Sequence, residues 1–183
     1  MVKNKYVKKC LIIFFIIYCY QVQNVFAHKG HDHSHDVIIT IGKKTFAHLQ
    51  SVLSAYQGIY EHFIRKETEG IADLARKMSD AAQQGVLSEP EGPGRHMMEH
   101  VFEGAEELLK AGDIQEKQKA FATVSAALFP FFESWPNQLK RNGLILCQCG
   151  NGYYWLQSRN SPAVCPYSFT ETSACSDIKE IVK

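Results

Sequence analysis

The sequence predicts an all-α fold, an antiparallel four-helix bundle with an irregular, cysteine-containing cap at its C-terminal end. Two observations predict the bundle. Apolar residues recur three and four positions apart in four successive segments, and the links between these segments are mostly short. A third observation predicts the cap, at 141–176, because cysteine, glycine, tyrosine and proline crowd together after Lys140 and no helical period persists there. Short strands within the cap are the alternative to a fully irregular one.

Four helices follow from the apolar spacing, at about 45–66, 69–84, 95–110 and 114–135. Thr68 and Asp113 are the expected N-caps, and Glu116 completes a capping-box pattern after Asp113. The residues expected to face the core are Phe46, Leu49, Leu53, Tyr56, Tyr60 and Phe63; Ile71, Leu74, Met78 and Ala81; Met98, Val101, Ala105, Leu108 and Leu109; and Ile114, Phe121, Val124, Leu128, Phe131 and Trp135.

Glycine and proline mark the expected breaks between these helices. Residues 85–94 carry two prolines and three glycines and are predicted to be a loop. Gly112 suits the left-handed turn after the third helix. Pro130 lies inside the fourth helix and should kink or shorten it, and Pro136 should end it.

The N-terminus has the pattern of a secretory signal peptide over residues 1–27. Four lysines and no acidic residue precede an apolar run at 10–20, and Val25 and Ala27 fit a cleavage site. The run is shorter than the roughly 20 apolar residues that cross a bilayer, although an uncleaved anchor is the alternative. We therefore expect a periplasmic or secreted mature chain without a stable membrane anchor. It divides into a flexible histidine-rich segment, 28–43, and a helical domain, 44–183.

Composition excludes several function classes. The formal net charge is +1 and no basic stripe is present, so nucleic acid is not an expected partner. The sequence has no nucleophile with an adjacent base, no phosphate-binding loop and no paired acidic motif. It therefore predicts a protein that is not an enzyme.

Histidine supplies two candidate metal sites. The segment HKGHDHSHD places His28, His31, His33 and His35 within eight positions, in a context that cannot bury a core. Imidazole suits zinc, copper and nickel, and cleavage after Ala27 would add the amine of His28. The alternative is a solvated tail with incidental affinity for metal.

The second candidate is the segment His96-Met97-Met98-Glu99-His100. Positions four apart share a helix face, so His96 and His100 could bind one ion, with the Met97 thioether as a further ligand that favours Cu(I). Met98 is expected in the core. The segment lacks the zinc-protease order H-E-x-x-H, and two exposed surface histidines are the alternative. His48 and His62 lie about 21 Å apart on the first helix and cannot share an ion.

Four cysteines remain after signal cleavage, all within the last 40 residues: Cys147, Cys149, Cys165 and Cys175. An even number of cysteines in an exported chain predicts disulfides, although thiolates could instead bind Cu(I) or zinc. A Cys147–Cys149 bridge would close a strained ring, so each is expected to pair with a distant partner.

Two groups of residues resemble a known family over roughly residues 52–178. One is Asp113-Ile114 with Phe121 and Ser125 to Leu128, with Lys117 or Lys119 in the place of an arginine. The other is Cys149, Gly152 to Gln157, Pro166-Tyr167, Cys175 and Ile178. The chain resembles a domain of unknown function in periplasmic proteins that is also attached to some Cus-type copper and silver efflux adaptors. Gly150 and Asn151 replace the family's proline and methionine, and Cys165 replaces an asparagine. The resemblance implies a helical periplasmic domain linked to heavy-metal handling, without naming the ion.

Together these patterns predict a periplasmic protein that binds a copper or zinc ion for capture, delivery or efflux, with a component of a metal efflux system as the implied partner. The alternative is a disulfide-stapled interaction module in which Tyr153, Tyr154 and Trp155 form the partner surface.

Overall fold

The structure, a computed structural model, describes residues 38–149, 152–167 and 179–180. Helices form most of this part, and a small sheet follows them. The helices are α1 (Lys43–Arg65), α2 (Ile71–Ser88), α3 (Pro93–Lys110), α4 (Ile114–Ser134) and α5 (Pro136–Arg141), and the strands are β1 (Leu144–Gln148), β2 (Tyr154–Ser158) and β3 (Lys179–Glu180). Each of the four long helices packs on the next. Within the described residues, no helix is both long and apolar enough to span a membrane.

The hydrophobic core confirms the apolar stripes. Nearly all the side chains expected to face inward are buried or packed against the buried cluster. Tyr56 of α1 stacks on Phe121 of α4 at a centroid distance of 4.3 Å, so the first and fourth helices meet in the core. The prediction that Trp135 faces the core was wrong, since its side chain is 40% exposed. It follows the last residue of α4, and its indole N–H donates to the carbonyl of Ile39 at 2.6 Å.

Several predicted helix ends were wrong. α2 continues to Ser88 and α3 begins at Pro93, so the expected loop at 85–94 is only four residues long. Proline at the first helical position is compatible with a helix start because its missing N–H would have had no partner there. The N-cap of α2 is Gly70, at φ 85°, rather than Thr68. The C-cap residue of α3, Ala111, has an extended backbone conformation. Gly112 does not have a positive φ angle, so the left-handed turn expected there does not form.

The expected N-cap of α4 is confirmed. The Asp113 side chain accepts a hydrogen bond from the Glu116 N–H at 2.8 Å, and the Glu116 side chain accepts one from the Gly112 N–H at 2.8 Å. α4 then runs through Pro130 to Ser134. The Ser134 hydroxyl donates to the Pro130 carbonyl at 2.9 Å within that last turn.

The cap contains a small sheet, so of the two expected forms the short-stranded one is confirmed and the irregular one is wrong. β1 pairs antiparallel with both β2 and β3, and Cys147 lies opposite Trp155. Residues 144–147 are all buried, and Trp155 and Leu156 are buried opposite them. Strand pairing satisfies backbone groups that have no access to water, so a buried apolar segment of this kind favours a sheet over an irregular loop.

Candidate metal centre

His96 and His100 lie in the first two turns of α3, on one exposed face. Their side chains are 54% and 35% exposed. The two Nε2 atoms are 3.0 Å apart, and the ring centroids are 4.2 Å apart. The spacing of four residues produces this approach because residues i and i+4 are neighbours on a helix surface.

A carboxylate lies behind each imidazole, three residues further along the helix. His100 Nδ1 lies 3.1 Å from Glu103 Oε2, and His96 Nδ1 lies 3.5 Å from Glu99 Oε2. A carboxylate that accepts from one ring nitrogen fixes the tautomer, orients the ring and makes the other nitrogen a better ligand. The pair therefore has the backing that metal-binding histidines usually have.

Arg95 holds one of these carboxylates in place. Its Nε donates to Glu99 Oε1 at 3.0 Å, which leaves Oε2 directed at His96. This hydrogen bond lowers the pKa of the Glu99 carboxyl, although partial burial opposes the shift. Arg95 also contacts Glu91 at 3.3 Å. Glu99 therefore stays ionised as an acceptor for the His96 ring.

The 3.0 Å contact between the two Nε2 atoms requires one proton between them, because two lone pairs would repel each other. A metal ion can take the place of that proton when each ring carries a proton on Nδ1, facing a carboxylate. Both Nε2 lone pairs are then available to the ion. The arrangement can thus act as a bidentate chelate for one ion.

The structure separates Met97 from the histidine pair. Met97 is 3% exposed and Met98 is fully buried, and both belong to the hydrophobic core. Among the described residues, no group of three or more histidine, cysteine, aspartate or glutamate side chains is arranged to hold an ion. The described part of the centre is therefore a pair of imidazoles and their carboxylates, without the expected thioether.

The remaining histidines divide into two groups. His48 and His62 are both partly buried on α1, and His62 Nδ1 lies 3.5 Å from Glu67 Oε2. The signal peptide, 1–27, and the candidate ligands His28, His31, His33 and His35 lie outside the described residues, so they stay predictions.

The cysteines belong to the sheet. Cys147 and Cys149 are buried, and as alternate residues of an extended chain they lie on one side. Cys147 lies close enough to the hydroxyls of Tyr56 and Tyr60 to contribute to the raised pKa of both. Cys165 is half-buried. Cys175 lies outside the described residues, so the pairing of the four cysteines stays a prediction.

The expectation of an exposed aromatic surface at residues 153–155 is largely wrong. Trp155 is fully buried. Its ring packs edge-on against Tyr167, and its indole N–H donates to Gln157 Oε1 at 3.0 Å. Tyr154 is half-buried and stacks on Phe129, with centroids 4.2 Å apart. Tyr153 alone of the three is exposed, at 37%.

Sequence reasoning missed the supporting residues, Arg95 and Glu103. The signal was present, because the segment from His96 to Glu103 contains the spacing His-x-x-Glu twice in succession. On a helix this spacing places each carboxylate beside its imidazole.

Comparison with known proteins gives no match: no family model, no curated protein and no solved structure is significantly similar to this chain.

Proposed function

We propose that this chain is an exported metal-binding protein of the copper or zinc class, which captures a heavy-metal ion for delivery or efflux. One observation carries the proposal. Two imidazoles on one helix face direct their Nε2 atoms at each other across 3.0 Å, and a glutamate lies beside the Nδ1 atom of each ring. Neutral imidazole is a ligand for copper and zinc, and carboxylates behind the rings strengthen it.

Sequence patterns support the remaining parts of the proposal. The N-terminal pattern supports export, and the dense histidine tract at 28–35 supports a second site of capture. The sequential packing of four helices supports the antiparallel four-helix bundle as their arrangement. The efflux partner rests on the resemblance alone.

The test is a calorimetric titration of the mature chain, from His28 onward, with Cu(II) and Zn(II). The variant His96→Ala/His100→Ala should lose one bound ion per chain, because both rings of the pair are removed. The matched control is His48→Ala/His62→Ala, which removes two histidines from another helix and should bind as the parent does. A third variant, without residues 28–36, measures the contribution of the tract.

A finer variant tests the carboxylates. Glu99→Gln/Glu103→Gln keeps both imidazoles and the length of each side chain, and the affinity of the pair should fall roughly tenfold to a hundredfold. Binding that is unchanged in His96→Ala/His100→Ala would rule out a metal site at the pair. Binding unchanged in the deletion variant as well would favour the interaction module, for which the described part of the cap offers the exposed side chains of Tyr153 and Val164.

A further inference from the structure

The donor atoms and geometry of the histidine pair define which ion it takes. We infer that His96 and His100 select a divalent ion of borderline softness, Cu(II) or Zn(II), over Cu(I). This inference rests on the proposed function, and it goes further because it assigns the charge and the oxidation state of the ion. It also reverses the sequence expectation that Met97 would favour Cu(I) at this segment.

The donor atoms around the pair are nitrogen and oxygen. Among the described residues, two imidazole nitrogens face each other, and the carboxylates of Glu99 and Glu103 lie beside the two rings. Thioether and thiolate ligands select Cu(I), whereas imidazole and carboxylate suit divalent copper and zinc. The nitrogen and oxygen donors of the described residues therefore favour a divalent ion over Cu(I).

The two methionines of the segment point away from the pair. Met97 is 3% exposed, and Met98 packs against Gly85 of α2 in the core. A Cβ atom on Gly85 would overlap the Met98 methyl group, so the space around that side chain is already filled. Turning either sulfur outward would expose a buried side chain and leave a cavity in the core, so the fold opposes it.

The separation of the two Nε2 atoms defines an angle at the metal. With metal–nitrogen distances of about 2.0–2.1 Å, a separation of 3.0 Å gives an angle of roughly 95°. This is close to the right angle of tetragonal Cu(II). The tetrahedral angle of Zn(II) needs a separation only about 0.3 Å larger. A collinear Cu(I) bound by two imidazoles would need roughly 4 Å, which the observed rotamers do not provide.

The surrounding charges also favour a divalent ion. Three carboxylates, those of Glu91, Glu99 and Glu103, surround the pair and the guanidinium of Arg95. The Coulomb attraction of this excess negative charge for an ion doubles when the charge of the ion doubles. Salt should weaken the preference, since the groups are partly exposed.

The test measures three ions on the full mature chain and on two variants. Cu(II) and Zn(II) are titrated by calorimetry, and Cu(I) is measured by competition with a chromophoric chelator without oxygen. His96→Ala/His100→Ala should bind one Cu(II) or one Zn(II) fewer per chain, and its Cu(I) binding should equal that of the parent. Met97→Leu keeps a core side chain of similar volume and removes the sulfur, so it should bind all three ions as the parent does.

The Cu(II) complex supplies a spectroscopic check. Its electron paramagnetic resonance spectrum should lose a signal with nitrogen coupling in His96→Ala/His100→Ala and keep it in Met97→Leu. His96→Gln/His100→Gln serves as a second double variant if the alanine variant is unstable.

The outcomes separate the inference from the proposed function. Loss of Cu(I) binding in His96→Ala/His100→Ala, with or without loss in Met97→Leu, would overturn the divalent preference and leave metal binding intact. Unchanged binding of all three ions in the double variant would overturn both. Loss of Cu(II) and Zn(II) alone would support both.

Discussion

Three buried tyrosines have raised pKa values, and the stability of the folded chain should therefore depend on pH in the alkaline range. Tyr56, Tyr60 and Tyr167 lie where the helices meet the sheet, and each hydroxyl has a partner. The Tyr60 hydroxyl shares its one hydrogen between Gln157 Oε1 and the Val164 carbonyl, each at 3.0 Å. Burial, assisted by nearby Cys147, raises the pKa of Tyr60 from 10.0 to about 12. Burial also raises the pKa of Tyr56 and of Tyr167 above the usual range of tyrosine.

The first prediction is a loss of stability at alkaline pH. A folded-state pKa above the unfolded value means that the folded chain holds its phenolic proton more tightly. The stabilisation is complete below pH 10 and is lost as pH rises from 10 toward 12. Urea unfolding across this range should show a falling free energy of unfolding, coincident with tyrosinate absorbance.

The matched variant for this prediction is Tyr60→Phe. At neutral pH its free energy of unfolding should be about 1–2 kcal/mol lower, because buried Gln157 loses a donor. Its decline above pH 10 should be shallower than that of the parent. An identical decline in both proteins would contradict the assignment to Tyr60.

At the scale of elements, the helix ends show which local rules hold in this chain. Asp113 caps α4 with its own side chain, and Glu116 reaches back to the Gly112 N–H. The other three long helices begin after glycines that offer no side-chain cap. Thus α4, which crosses the core and carries Phe121, is the long helix with the strongest local start signal.

The second prediction concerns this cap. Asp113→Ala removes the acceptor for the Glu116 N–H, and the free energy of unfolding should fall by about 1 kcal/mol. The control is Asp80→Ala, at an exposed position inside α2, where alanine has the higher helix propensity and stability should be unchanged or slightly higher. Urea denaturation of the two variants beside the parent measures both. Equal stability of Asp113→Ala and the parent would show that the cap contributes nothing.

At the scale of the whole molecule, a buried amide joins the sheet to the helices. Gln157 on β2 accepts at Oε1 from Tyr60, from the Trp155 indole and from the Val164 N–H. Its amide donates to the carbonyls of Ser161 and Pro162. Because every polar atom of this buried side chain has a partner, the sheet should unfold together with the helices.

The third prediction tests this coupling. Gln157→Ala removes the acceptor of the buried Trp155 indole and of the Val164 N–H, and it removes one of the two acceptors of the Tyr60 hydroxyl. The free energy of unfolding should therefore fall by about 2–3 kcal/mol. In the parent, Trp155 fluorescence and helical circular dichroism should change at the same denaturant concentration. Trp135→Phe removes the other, exposed tryptophan so that fluorescence reports on the sheet. Separate transitions in this variant would show that the sheet and helices are independent units.

The sequence by itself determined the helices and most of the core, because apolar spacing follows directly from the geometry of a helix. It also determined that His96 and His100 share a face, since four residues make about one turn. The Asp113 cap could be predicted for the same reason, since it depends on two residues three positions apart, Asp113 and Glu116. The signal peptide and the histidine tract stay predictions from sequence.

Only the tertiary structure decided the features that depend on distant neighbours. Trp155 is buried because its strand packs on the helices, and the order of residues around it does not show this. The Met97 sulfur does not face the histidine pair, because the side chain is buried in the core against which α3 packs. The sequence left open whether the cap is irregular or short-stranded, because strand pairing joins segments whose contacts no local period records. Local patterns repeat along the chain and can be read from it, whereas burial depends on which surfaces meet.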